Sequence, residues 1–193
     1  MSRLRTADLI RNYYRKNPVA HRLLLEHSRM VTRKALKIAR RLLAQKNKID
    51  LDFVAEAAML HDIGMVFTQA PDLHCFGELP YLAHGVKGHD ILLAEGLPRH
   101  ARVCERHIGI GLTAQEIIAQ KLPLPPRDML PETLEEKIIC YADLFFSKNS
   151  RDHGHEKSQA EVRQGLIGYG KDKGEVFDCW RKLFEPESET GSG

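Results

Sequence analysis

The sequence has few of the residues that define several classes of small protein. It contains one tryptophan and four cysteines among 193 residues. The cysteines, Cys75, Cys104, Cys140 and Cys179, are widely separated and include no CxxC pair. This spacing favours neither a zinc ribbon nor a dense disulfide framework, so we interpret all four as reduced core thiols.

Long apolar runs and a large charge imbalance are also lacking. No segment approaches the roughly 18 apolar residues of a membrane span. Four arginines interrupt the first twenty residues, which therefore have no continuous signal-peptide core. The net charge is only +3, which is too small to indicate a nucleic-acid partner. We expect a cytoplasmic protein with no membrane partner, for which nucleic acid is a disfavoured partner.

What the chain does contain is helical periodicity, with no alternating strand pattern. Its 42% hydrophobic and 28% charged residues are ordinary for a globular domain. We predict a single all-α domain over residues 1–185, with about eight helices around a central site and a disordered tail at 186–193. The helices that matter most are expected at 19–45, 84–95, 98–107 and 134–147, and in the segment that ends at His61. Residues 65–80 are expected to form a covering loop.

The chain is organised around residues 57–64, Ala-Ala-Met-Leu-His-Asp-Ile-Gly. Val54, Ala58 and His61 recur at i, i+4 and i+7, so a helix places His61 on its buried stripe. Asp62 follows at once, and Gly64 is expected to close the helix in the left-handed conformation. An imidazole and a carboxylate at one buried helix end can both bind a cation, although a hydrogen-bonded core histidine is the alternative.

Other polar residues occupy inward positions in the same way. Asp143 shares a stripe with Ile139 and Phe146, and no Lys or Arg lies at i±3 or i±4 to compensate its charge. Gly88, one turn after His84, is expected to let another backbone approach closely. The inward residues come from five predicted helices and are His27, His61, Asp62, His84, His107 and Asp143. Four imidazoles and two carboxylates are enough to bind two divalent ions, with Asp62 between them.

The order His27, His61-Asp62, Asp143 resembles the HD-domain superfamily of metal-dependent phosphohydrolases. Ile63-Gly64 matches the motif variant that continues with Ile-Gly, and the likeness covers roughly residues 20–150. It implies a helical core with one or two divalent ions (Fe, Mn, Co or Ni, with Mg as an option). It also implies hydrolysis of a phosphomonoester or phosphodiester, often in a nucleotide, by metal-activated water with Asp62 as the catalytic residue. His84 and His107 resemble the extra ligands of two-metal branches.

The chain departs from one branch of that superfamily. Met65 stands where cyclic-dinucleotide phosphodiesterases often have Lys, and no Gly-Tyr-Pro element follows His107. That substrate is therefore disfavoured. The ligand pattern does not separate a phosphohydrolase from a di-iron oxygenase of the superfamily, or from a regulatory module that binds a nucleotide without turnover.

Residues that contact substrate are harder to find from sequence. Lys87, Arg106, His89 and Lys148 lie near the candidate ligands in the chain, and we predict that they bind phosphate oxygens or line the pocket. Simple solvation is the alternative for each. The expected partner is a phosphorylated small molecule or nucleotide, and the sequence does not specify the oligomeric state.

Overall fold

The structure is a computed structural model that describes residues 5–148 and 155–186. This part of the chain contains nine α-helices, which confirms the all-α prediction. They are α1 (Thr6–Tyr14), α2 (Pro18–Ala44), α3 (Leu51–Leu60), α4 (His84–Ala94), α5 (Pro98–Arg106), α6 (Ala114–Ala119), α7 (Leu134–Asp143), α8 (Gln159–Ile167) and α9 (Lys171–Phe184). None of them is both long and apolar enough to cross a membrane. The tail predicted at 186–193 lies outside the described residues except for Pro186.

Helix α2 is the longest element and carries the first candidate ligand. Asn17 caps it by accepting a hydrogen bond from the Ala20 amide, and Pro18 occupies the first turn, where its missing N–H costs nothing. Val31, Ala35 and Ile38 are buried on the face that also carries His27. The helical stripe therefore directs the His27 imidazole into the interior, as its spacing predicts.

Helix α3 ends just before the His-Asp pair and is followed by a 3-10 helix, Ile63–Phe67. Gly64 lies inside that 3-10 helix and is not among the glycines with positive φ, so the predicted left-handed closure is wrong. Its real role is close packing. A Cβ at Gly64 would lie 2.2 Å from the His84 carbonyl oxygen and 2.5 Å from the Gly88 amide. The two glycines let α4 cross the chain directly after Asp62, which brings His84 to the pair.

Residues 65–80 are more ordered than a covering loop. Gln69–Ala70 (β1) pairs antiparallel with Cys75–Phe76 (β2), with Gln69 opposite Phe76. Pro71–Leu73 between them forms a single 3-10 turn. Strands of two residues are too short to show an alternating pattern in the sequence, so no strand was expected here.

Helix α7 starts at the predicted residue but ends at Asp143 rather than at 147. Thr133 accepts a hydrogen bond from the Glu136 amide, as expected for a cap. The return bond of a capping box is not formed, because the Glu136 carboxylate accepts from the Glu132 amide and from Arg106 instead. Asp143 therefore stands at the end of its helix, as His61 does in α3.

Candidate metal centre

The structure brings all six inward-pointing residues together in one cluster, which we call the His-Asp cluster. It consists of two groups of possible ligands, His27, His61, Asp62 and Asp143 in the first and Asp62, His84 and His107 in the second. Within each group the possible ligand atoms lie within 4.8 Å of one another. The side chains are buried, apart from a partial exposure of Asp143.

The spacing in the first group matches a single ion. His27 Nε2 lies 3.3 Å from His61 Nε2 and 2.9 Å from Asp143 Oδ1. Asp62 Oδ2 lies 3.4 Å from His27 Nε2 and 3.2 Å from His61 Nε2. An ion about 2.1 Å from each ligand atom places neighbouring ligand atoms about 3.0 Å apart in an octahedron and about 3.4 Å apart in a tetrahedron.

The second group uses the other oxygen of the same aspartate. Asp62 Oδ1 lies 3.2 Å from His84 Nε2 and 3.3 Å from His107 Nε2. The two imidazole nitrogens are 3.2 Å apart. Asp62 thus directs one oxygen into each group, which is the geometry of a carboxylate that bridges two ions.

Hydrogen bonds to the backbone fix which ring nitrogens face the cluster. The Nδ1 atoms of His61, His84 and His107 lie 2.7–2.8 Å from the carbonyl oxygens three residues earlier. A neutral ring that donates its Nδ1 proton carries its lone pair on Nε2. Histidine ligands of metals are usually oriented by such a bond. His27 differs, since its buried Nδ1 has no partner in the described residues.

These lone pairs point at one another and at carboxylate oxygens. Both oxygens of Asp62 and Oδ1 of Asp143 are buried and have no aligned hydrogen-bond donor among residues 5–148 and 155–186. Acceptors packed against acceptors are unfavourable unless a cation lies among them. The donor set therefore fits a divalent metal ion.

The pKa shifts also indicate that the two carboxylates of the cluster favour nearby positive charge. Burial opposes ionisation of Asp62, but Lys148 and His61 outweigh it and hold the pKa well below its usual range. The pKa of Asp143 is lowered against burial by the same two cations. Burial disfavours charged His61, yet the two carboxylates raise its pKa to about 10. Burial and Lys148 lower the pKa of His27 to about 4. The carboxylates of Asp62 and Asp143 thus stabilise positive charge on Lys148 and His61. A divalent ion would supply the same amount of positive charge.

Comparison with known proteins identifies the domain. A family model for the HD domain matches residues 24–146. The chain belongs to the HD-domain family. This range begins and ends next to His27 and Asp143, so the whole His-Asp cluster lies within the HD domain, and α8 and α9 lie outside it.

Three relatives are similar over about two thirds of the chain. A tRNA (cytidine(56)-2'-O)-methyltransferase of Thermoplasma volcanium is 36% identical over 129 residues, which are 66% of this chain and 33% of that protein. The protein of the same name from Picrophilus torridus is 36% identical, over 68% of this chain and 34% of its own. An uncharacterised protein of Methanocaldococcus jannaschii is 40% identical, over 62% and 64% respectively. The chain thus spans about a third of the two methyltransferases. No solved structure matches.

Lys148 is the one predicted substrate-binding residue that reaches the cluster. Its Nζ lies 2.9 Å from Asp62 Oδ2 and 3.8 Å from Asp143 Oδ1. Helical spacing predicts no basic partner for Asp143, because no Lys or Arg lies within one helical turn on either side. Lys148 lies five residues on, after α7 has ended, where helical spacing no longer applies.

The side chains of the other three predicted substrate-binding residues contact groups outside the His-Asp cluster. Arg106 pairs with Glu132 at 2.9 Å and with Glu136 at 3.2 Å. Lys87 Nζ lies 4.9 Å from the centre of the Phe67 ring. His89 Nδ1 lies 3.1 Å from the carboxylate of the adjacent Asp90. Their predicted contacts with phosphate stay untested.

Two tyrosines support the cluster and were missed in the sequence. The buried Tyr14 hydroxyl donates to the Asp62 carbonyl at 3.4 Å and accepts from the Val66 amide at 3.2 Å. It thereby joins the residue just before the 3-10 helix to a residue within that helix. The Tyr81 ring stacks on His84 with 4.8 Å between ring centroids. Tyr81 lies one helical turn before His84, and this spacing is a weak indication in the sequence that the two side chains meet. The sequence gives no such indication for Tyr14.

Proposed function

We propose that this HD domain is a metal-dependent phosphohydrolase that hydrolyses a phosphomonoester or phosphodiester, most simply in a nucleotide. The observation that carries the proposal is Asp62, whose two oxygens lie in two different groups of possible ligands. When bound, two divalent ions neutralise charge on phosphoryl oxygens and lower the pKa of water from about 15.7 toward about 7. No serine or cysteine nucleophile occurs in a recognisable arrangement in the sequence, so water is the nucleophile.

We assign separate roles in metal binding and substrate binding to the residues of the cluster. His27, His61 and Asp143 would hold one ion, His84 and His107 the other, and Asp62 both. Lys148, 2.9 Å from the bridging carboxylate, is placed to bind a phosphate oxygen. Tyr14 positions Asp62 through the backbone, since its hydroxyl contacts that carbonyl.

The donor atoms narrow the choice of metal. Four imidazole nitrogens and two carboxylates favour Mn²⁺, Fe²⁺, Co²⁺ or Ni²⁺ over Mg²⁺, which prefers oxygen ligands and retains several waters. Elemental analysis of protein purified without added metal identifies the resident ion. We expect one of these four transition metals.

The decisive test is a nucleotide and phosphatase screen with each metal in turn. Phosphate release that depends on a divalent ion and is lost in Asp62→Ala supports the proposal. Lys171→Ala is the control, since its exposed ammonium lies beside Glu175 rather than at the cluster. Oxygen consumption without phosphate release would instead indicate a di-iron oxygenase. Nucleotide binding without any turnover would indicate a regulatory module.

A second candidate places the phosphoester in RNA. Two relatives are named as tRNA methyltransferases, and α2 presents an exposed basic face to solvent. The residues of this face are Arg22, Arg29, Arg33, Lys37 and Arg40. None of them forms an ion pair with another residue in the described part of the chain. Beside them lies a cleft of about 260 Å³, lined by Arg33, Lys37 and Phe146 among others. Unpaired basic side chains along about 27 Å of helix suit a phosphodiester backbone.

Binding of tRNA at several salt concentrations tests this second candidate. The double variant Arg33→Glu with Lys37→Glu should weaken binding and reduce its salt dependence. Lys171→Glu, on a distant and fully exposed helix end, is the matched control. Equal binding by both variants would refute an RNA surface on α2.

A further inference from the structure

A cavity of about 320 Å³, which we call the side pocket, lies between the segment after α5, helix α6 and the C-terminal helices. Its walls include Ile110, Leu112, Leu122 and Leu166, and they are mainly apolar. This volume is at the lower end of the range for small-molecule sites, about 300–1,000 Å³. The side pocket therefore suits one small group rather than a macromolecule.

Three residues in the wall of the side pocket lie one or two positions along the chain from residues of the His-Asp cluster. Ile108 and Leu144 line it, and they directly follow His107 and Asp143 in the chain. Leu82, two residues before His84, lines it as well. Consecutive Cα atoms are about 3.8 Å apart. Because the three ligand candidates come from three different helices, this convergence places the side pocket next to the cluster.

The charged groups of the side pocket are already paired. Lys173 is buried, and its ammonium contacts the Glu116 carboxylate and donates to the Gly111 carbonyl at 3.3 Å. The Glu116 carboxylate also accepts from the Thr113 amide and hydroxyl. A charged ligand group would find no free counter-charge there. The side pocket thus selects an uncharged group.

Tyr169 supplies the remaining feature of the wall. It lines the side pocket with 77% of its surface exposed, which is the largest value among the exposed large hydrophobic residues in the described part of the chain. An aromatic face left in solvent beside an apolar cavity is suited to stacking against a flat ring. Every nucleobase offers such a ring, and stacking tolerates differences between bases.

We propose that the side pocket binds the nucleobase of a nucleotide whose phosphate lies at the His-Asp cluster. This inference rests on the proposed function. It assigns a binding site to the base of the nucleotide, whereas the cluster accounts only for the phosphate. Leu166, Tyr169 and Lys173 all lie beyond residue 146, where the match to the HD-domain family ends. Base binding therefore depends in part on residues that this chain adds to the HD domain.

The test compares two phosphate esters that differ in the base. Tyr169→Ala should raise KM for adenosine monophosphate about tenfold, as expected for loss of one stacking contact. It should leave KM for ribose 5-phosphate unchanged, because that ester has no base to stack. Phe76→Ala is the matched control, as its ring is 70% exposed and lines a different cavity. An equal effect of Tyr169→Ala on both esters would overturn the proposal.

A second measurement does not depend on turnover. Saturation-transfer NMR with adenosine, which lacks phosphate, should show binding to chelated protein that weakens in Tyr169→Ala and persists in Phe76→Ala. If adenosine binds in this way and no phosphate ester is hydrolysed, the proposed function fails and the side pocket stands. If both esters are hydrolysed and adenosine does not bind at millimolar concentration, the pocket proposal fails and the function stands.

Discussion

Two polar networks lie two turns apart on α2, one around the buried ammonium of Lys34 and one around the buried imidazole of His27. Lys34 Nζ lies 2.8 Å from Glu156 Oε1, 2.9 Å from Glu185 Oε1 and 3.8 Å from the centre of the Phe145 ring. Its charge is therefore matched by protein groups. Around His27, by contrast, four imidazoles gather with two carboxylates, and the Lys148 ammonium lies beside oxygens of both carboxylates.

The difference indicates a structural network around Lys34 and supports the proposed metal site around His27. A buried cation with matched carboxylates needs nothing further and fixes the packing of the helices that it joins. A buried group of acceptors without enough donors is unfavourable until a cation binds. We therefore expect metal to act on the His-Asp cluster and to leave the Lys34 network unaffected. The following experiments test that contrast.

The largest effect is expected for Asp62→Ala. Loss of the bridging carboxylate removes one ligand atom from each group, so both ions should be lost and turnover should fall by at least about a thousandfold. Metal content and phosphate release measure the two losses. Asp90→Ala, an exposed aspartate beside His89, should change neither. Full metal content in Asp62→Ala would refute the bridging role.

The second prediction concerns the two groups of the His-Asp cluster. The first contains two carboxylates and the second contains only the shared Asp62, so the first should bind its ion more tightly. The double variant His84→Ala with His107→Ala should lower metal stoichiometry from about two to about one. Elemental analysis after desalting measures it. Retention of two ions would contradict the assignment of the second group.

Chelation should produce a smaller effect, on stability. Metal that binds only folded protein, at 100 times its Kd, stabilises it by about 2.7 kcal/mol, so its removal should lower Tm by about 8 °C. Helicity measured by circular dichroism should persist at low temperature. Two apolar clusters, one containing Val31 and Phe177 and the other Tyr14 and Leu92, retain the core without ions. Complete loss of helicity on chelation would contradict this account.

Helical periodicity in the sequence predicted most residues of the His-Asp cluster, because the inward placement of a side chain depends on local helix geometry. His27, His61 and Asp143 lie on inward stripes or helix ends, and these are properties of short segments. Lys148 was not recognised as the partner of Asp143 since it follows the end of a helix. Tyr14 meets Asp62 across 48 residues, a contact that only tertiary packing creates. Gly64 was assigned to the wrong role because sequence does not distinguish a left-handed glycine from one that admits a neighbouring backbone.

The smallest effect is expected in the Lys34 network, with Glu185→Gln. Burial raises the pKa of Glu185, but hydrogen bonds from Lys34 and Tyr141 outweigh it and lower the pKa below its ordinary value. A carboxyl whose pKa is lowered by folding stabilises the protein above its unfolded pKa, about 4.3, and loses that contribution as pH falls through the folded value.

Glu185→Gln should therefore lower the free energy of unfolding by about 1 kcal/mol at pH 7, a value reduced for the partial solvent screening of this half-buried group. The difference between variant and wild type should become smaller as pH falls below about 4.3, because protonation leaves Glu185 as uncharged as Gln. Urea denaturation at pH 7 and at pH 3.5 measures it, with the exposed Glu175→Gln as control. Metal content should be unchanged in both variants. A loss of metal in Glu185→Gln would show that the two networks on α2 are coupled, and the contrast between a structural network and a ligand site would then be wrong.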